Sequence, residues 1–171
     1  CICDNYLVEG SGQRFFVKTA SCGHNPFPAE VDGLAALAQC PALVVPQVVA
    51  TGRAGPVAFL VLTHLDLQAE GDDGKLGEAV ALLHQITYPR FGWPCDNFIG
   101  STPQANAQDT DWPRFWREQR LLPQLRLAAR RGAPELLEAA APLLEHLPAL
   151  FTGDPPAASL LHGDLWCGNK G

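Results

Sequence analysis

"LLHGDLWCGN", residues 160–169, sets Asp164 five positions ahead of Asn169, with His162 and Gly163 just before the aspartate. Phosphoryl transfer has a use for such a pair. It needs a carboxylate to orient and accept the proton of an attacking hydroxyl, and oxygen ligands for Mg²⁺. One turn written H-x-D-x-x-x-x-N supplies both. The bland alternative is an ordinary turn, because Asp and Asn are both common turn residues.

The other end of the chain decides between them. "QRFFVKTA", residues 13–20, alternates: Phe15, Val17 and Thr19 point one way, Phe16 and Lys18 the other. That is strand periodicity. A lysine on a hydrophobic strand is costly unless its amine has a task. The next predicted helix, "FPAEVDGLAALAQ" (27–39), has Pro28 near its start and Glu30 in its first turn. A strand lysine paired with a helix glutamate aims an ammonium at nucleotide phosphates. A snorkelling lysine with a routine surface ion pair is the competing reading.

Between these ends the pattern changes once. "NYLV", the "EGSGQ" turn and "QRFFVKTA" predict a hairpin. "ALVVPQVVA" (42–50) and "VAFLVLTHL" (57–65) predict two more strands around the turn signal "TGRAGP", with Pro46 marking an edge or interrupted strand. From residue 75 the spacing becomes helical. Leu76, Val80 and Leu83 share a face behind a cap at Asp72 or Asp73. "YPRFGWPCDNFIGSTPQANAQD" (88–109) is a long aromatic loop, expected to be packed and functional. Asp111 caps a helix that Pro123 should kink or divide. A further helix is interrupted by Pro142, and "SLLH" (159–162) reads as a short buried strand. The expected architecture is α+β: a β-rich lobe with one helix over 1–63, a linker near 62–70, and a mainly helical lobe over 64–171.

Composition narrows the classes. Of 171 residues 47% are apolar and 18% charged, enough for a real core. A net charge of −6 argues against nucleic acid or an anionic membrane surface as the main partner. No apolar run of 18 residues is present, so no membrane span is expected. Six cysteines without secretory context read as thiols in a reducing cytoplasm. The chain begins at Cys1 and has no Met, so it reads as a piece of a longer protein, cut at both ends.

With strand lysine, helix glutamate, two strands, linker, helices and H-G-D-x-x-x-x-N in that order, the chain resembles the fructosamine kinase (ketosamine-3-kinase) family. That family lies within the aminoglycoside phosphotransferase-like, protein-kinase-like two-lobe fold. The residues carrying the resemblance are "FFVK" (15–18), "AEVDGLAAL" (29–37), "FGWPCDNFIGSTPQAN" (91–106), "DWPRFWREQRLLPQL" (111–125) and "LLHGDLWCGN" (160–169).

The resemblance implies an ATP- and Mg²⁺-dependent kinase acting on the 3-hydroxyl of small-molecule or protein-bound ketosamines, in protein deglycation. It implies Asp164 as the catalytic base and Asn169 as a Mg²⁺ ligand. Lys18 would bind phosphates with Glu30 orienting it, and Leu62, Thr63, His64 and Leu65 would be the hinge that meets adenine. His162 would be structural, and Trp166 could pack against substrate. The glycine-rich loop should precede Cys1 and the second metal aspartate should follow Gly171, so these 171 residues alone are expected to be inactive.

Gly163 stands where protein kinases have arginine, which argues against control by a phosphorylated activation loop. A redox-linked dimer through Cys1 is a further expectation. The rival readings are an aminoglycoside or choline kinase, a non-catalytic pseudokinase, and a zinc module built on Cys1, Cys3, Cys22 and His24.

Overall fold

The computed structural model describes residues 3–10, 12–67 and 71–165. They divide into two compact units: one holds the residues up to Ile86 and those from Ser159 on, the other Thr87–Ala158. Among the described residues no helix is long and apolar enough to cross a membrane.

The first unit is built on an antiparallel sheet. Strands β1 (Asp4–Gly10) and β2 (Gln13–Ser21) form the expected hairpin, closing at Gly10 opposite Gln13. Helix α1 (Phe27–Leu37) follows, then β3 (Val48–Ala54) and β4 (Val57–Thr63), in the sheet order β1-β2-β4-β3.

Two strand limits differ from the sequence expectation. Pro46 lacks the N–H that a ladder needs, so β3 starts two residues after it, at the sheet edge. "TGRA" is strand rather than turn. The reversal needs only Gly55, at φ +58, and Pro56, because Ala54 pairs directly with Val57. Gly52 suits the strand because it faces Phe59, whose ring already fills the space a Cβ would take, 3.0 Å away.

The core of this unit follows the pleat. Ala58, Leu60 and Leu62 alternate along β4 and are buried with Phe27 of α1. Phe16 and Ala20 of β2 pack on the same cluster with Val31 and Leu34 of the helix. Lys18 lies between Phe16 and Ala20 in the period of two, so it shares their helix-facing side. Helix α2 (Asp73–His84) is capped as expected by Asp72, whose Oδ1 accepts the N–H groups of Gly74 and Lys75. It buries Leu83, and the Cys40 thiol reaches the Ala79 carbonyl. The Leu160 N–H donates to the Ile86 carbonyl at 2.8 Å.

The second unit opens with β5 (Thr87–Tyr88) and the hairpin of β6 (Asn97–Ile99) and β7 (Thr102–Gln104). Helix α3 (Trp112–Phe115) starts at the Asp111 cap, whose Oδ1 accepts the Arg114 N–H at 2.7 Å. The predicted long helix does divide, but one turn before Pro123. Residues Trp116–Leu121 form a π-helical turn and α4 (Leu122–Arg130) begins afresh, with Pro123 in its first turn. Pro123 cannot donate to the carbonyl four residues back, and its ring crowds that group. The wider turn gives the crowded carbonyl room.

Pro142 breaks the last helix into α5 (Glu135–Ala139) and α6 (Ala141–His146), followed by a 3₁₀ turn, Leu147–Leu150. The expected strand at 159–162 shrinks to β8 (Ala158–Ser159); Leu160 is buried beyond it without strand pairing. An aromatic cluster centres on Trp112, with Phe91, Phe115, Trp116 and Phe151 at ring separations of 4.9 to 6.2 Å.

Candidate functional site

Lys18 and Glu30 meet. The Lys18 Nζ donates to both carboxylate oxygens of Glu30, at 2.7 and 2.8 Å. Local structure explains the meeting. Lys18 is opposite buried Leu60 in the β2–β4 register, so its stem lies along the core while the ammonium reaches α1. Glu30 stands in the first turn of α1, where the helix dipole favours a carboxylate. The two side chains are 23% and 27% exposed. At that depth the pair is screened far less than a surface bridge, and two charge-assisted hydrogen bonds fix the ammonium in place. The bond leaves the lysine one of its three donors. Cys3 packs on the same core; burial pushes its thiol pKa up, and the Lys18 charge pulls the other way.

Of the four expected hinge residues, Leu62 and Thr63 end β4 and His64 and Leu65 follow it. Leu62 is buried, and Thr63 is doubly tied to Gln47: its N–H donates to the Gln47 carbonyl at 2.9 Å, and its Oγ1 accepts the Gln47 N–H at 2.8 Å. The His64 N–H donates to the Arg14 carbonyl at 3.3 Å, and Leu65 is half-buried after the strand.

Asp164 is exposed, on a tight turn. Its backbone N–H donates to the His162 Nδ1 at 3.3 Å, across Gly163 at φ +84. The His162 ring therefore holds the turn. No ion pair joins Lys18 to Asp164. Cys1, Trp166 and Asn169, for which roles were expected, lie outside the described residues. Among the described residues no three His, Cys, Asp or Glu side chains cluster as a metal site, Cys3, Cys22 and His24 included.

A second constellation was not anticipated as one. The 88–109 loop is packed, as its aromatics suggested, but a polar hub organises it. Asn106 is 1% exposed; its amide nitrogen donates to the Cys95 carbonyl and to the Asn97 Oδ1, and its N–H donates to the Asp96 Oδ1. Its carbonyl accepts the Trp93 N–H.

Arg120 clamps this hub from the π-helical turn. Its guanidinium reaches the Asn106 Oδ1 at 2.7 Å and the Ala105 carbonyl at 2.8 Å, and lies 4.7 Å from the Phe115 ring centroid. It also donates at 2.9 Å to the Gln119 carbonyl, the group four residues before Pro123. Phe91 and Asp109 close the loop's base with two backbone hydrogen bonds. Above the hub is an open cleft of about 470 Å³, lined by Arg90, Trp93, Pro94, Asp96, Asn106 and Gln108 among others. A loop rich in Asn, Gln and Gly was the sequence signal; nothing in it marked Asn106 as buried.

Comparison with known proteins accords with these elements. The sequence profile described as "Fructosamine kinase" matches residues 1–171. A "Probable ketoamine kinase" of Synechocystis is 35% identical over 175 residues, covering 99% of this chain and 58% of that protein. A protein of the same name from Escherichia coli is 38% identical over 164 residues, covering 93% and 56%. A "Protein-ribulosamine 3-kinase, chloroplastic" of Arabidopsis thaliana is 35% identical over 164 residues, covering 91% and 49%. The chain thus spans about half the length of the curated relatives it matches. A crystal structure of a "putative fructosamine-3-kinase" from Thermobifida fusca superimposes over 99% of this chain and 60% of its own, with TM-score 0.84 and 33% identity.

Proposed function

The chain belongs to the fructosamine kinase family, and we propose that the protein it forms phosphorylates the 3-hydroxyl of ketosamines with MgATP. The observation that carries this reading is the Lys18–Glu30 pair. It is a strand lysine held by a first-turn helix glutamate on both carboxylate oxygens. That arrangement presents a fixed ammonium with one donor to spare, suited to the phosphates of a nucleotide.

In this reading residues 1–63 serve the nucleotide, and 64–171 serve the acceptor and the catalytic turn. Asp164 accepts the proton of the attacking hydroxyl; it stands at the surface on a turn held by His162. The backbone at 62–65 meets the adenine, with the Thr63 N–H already committed to Gln47. Asn169 offers an amide oxygen, a hard donor of the kind Mg²⁺ accepts. The ion, when bound, neutralises charge on the transferring phosphoryl group. Trp166 packs against the sugar. Phosphorylation at the 3-position makes the adduct labile and returns the amine, which would make the reaction a repair step.

The test is ketosamine-dependent ADP release by the full-length protein to which this chain belongs. Fructosyl-, ribulosyl- and erythrulosyl-lysine are the acceptors, choline and kanamycin the controls, with an Asp164→Asn variant beside the native protein. Activity on a ketosamine that disappears in the variant supports the reading. Activity on a control alone discards the acceptor and keeps the phosphotransfer.

A further inference from the structure

The cleft over the Asn106 hub brings two opposite charges together without pairing them. Arg90 and Asp96 line the same hollow, with Trp93 and Gln108. Neither forms an ion pair with the other or with any described residue. Their neighbours do pair: Asp109 with Arg114, Glu118 with Arg117. The Asp96 carboxylate is also fixed, because its Oδ1 accepts the N–H of buried Asn106 at 2.9 Å. Arg120 and the Asn97 side chain hold Asn106 in turn. A pinned carboxylate and an uncommitted guanidinium in one small hollow, beside an indole, complement a molecule that carries both charges itself.

We propose that this cleft binds a zwitterionic α-amino acid. The ammonium goes to Asp96, the carboxylate to the fork of Arg90, and side-chain methylenes lie along Trp93. The inference goes beyond the kinase reading and stands on the cleft's own residues. The cleft would take free amino acids, glycated or not, rather than protein, because a residue inside a chain has neither the α-ammonium nor the α-carboxylate.

Calorimetric titration of the full chain without ATP tests it. The probes are Nε-fructosyl-lysine and the same compound blocked as its Nα-acetyl amide. The native protein should bind the free adduct at least tenfold more tightly. Arg90→Gln and Asp96→Asn should each abolish that preference and leave binding of the blocked form unchanged. Asn at position 96 still offers an oxygen to the Asn106 N–H, so the loop is retained, and unchanged tryptophan emission would verify it. Equal binding of the two forms, or binding of neither, overturns the proposal. The two readings fail separately. Preferential binding without ADP release removes the kinase reading and keeps the amino-acid site; ADP release without preference does the reverse.

Discussion

The Arg120 guanidinium ends 2.7 Å from the side-chain oxygen of Asn106, fourteen residues earlier in the chain. This contact ties a helix broken by proline to a loop with little regular structure. One cation serves two carbonyls and an amide, and faces an aromatic ring. Burial lowers its pKa from the ordinary value, the expected direction for a desolvated cation.

Asn106→Ala should therefore destabilise the protein by about 2–3 kcal/mol, since it removes the side-chain acceptor of the Arg120 fork and, in a buried place, the amide's hydrogen bonds to the Cys95 carbonyl and the Asn97 Oδ1. Arg120→Lys should cost about 1–2 kcal/mol, because a point charge cannot span three acceptors. At about 2–4 °C per kcal/mol for a chain of this size, both shifts are readable by thermal unfolding. Native-like melting of Asn106→Ala would show that the hub is not structural.

Two glycines should respond in opposite directions to alanine. Gly92 has φ +103, and a Cβ there would lie 2.7 Å from the Asn106 carbonyl oxygen. Gly92→Ala combines left-handed strain with a backbone clash, about 2–4 kcal/mol in all. Gly77 lies within α2 with nothing within 4 Å of its would-be Cβ. Gly77→Ala should stabilise by about 0.5–1 kcal/mol. Chemical denaturation midpoints of the pair would decide it.

Acid should find Asp109. The Arg114 guanidinium holds its carboxylate at 2.5 Å through two donors, and with the Asp111 N–H lowers its pKa from 3.8 to about 2. A depressed folded pKa contributes stability that is present above the unfolded value and lost as pH falls through the folded one. The Asp109 share of stability should be intact at pH 5 and disappear between about pH 4 and pH 2. Arg114→Met should reduce the difference between unfolding midpoints at pH 5 and pH 3. An unchanged difference would remove Asp109 from the acid response.

On the kinase reading, Lys18→Ala should lower kcat/KM about 10²–10³-fold, or roughly 3–4 kcal/mol of transition-state stabilisation. Glu30→Gln, which keeps one hydrogen bond but loses the charge, should cost about tenfold. The double variant should be little worse than Lys18→Ala alone, because the glutamate acts through the lysine. Multiplying losses would mean that the two act separately.

The parts of this structure that were legible in the sequence share a cause. Lys18 is a cation within a strand's period of two and Glu30 follows a helix-starting proline, so local pattern placed one on a strand and the other in the first turn of the next helix. The Asp72 and Asp111 caps were readable for the same reason. The break near Pro123 was readable too, but not its place. The π-helical turn precedes the proline, because the strain falls on the carbonyl at Gln119. Asn106 was illegible. In a loop of Asn, Gln, Pro and Gly a buried amide looks like any turn residue, and only the Arg120 clamp, brought in by tertiary structure, distinguishes it. Arg120 itself is one of seven arginines between residues 64 and 171, with no pattern to single it out.

Gly163 has a bearing on what this protein could become. Its backbone is left-handed, at φ +84, where a residue with a Cβ is strained by about 1–2 kcal/mol. The arginine with which protein kinases read a phosphorylated loop occupies the same place in their catalytic motif. Here a codon change to arginine would distort the turn that presents Asp164 before any phosphate could be sensed. An arginine at this place would have to be accommodated by a turn whose backbone now favours glycine.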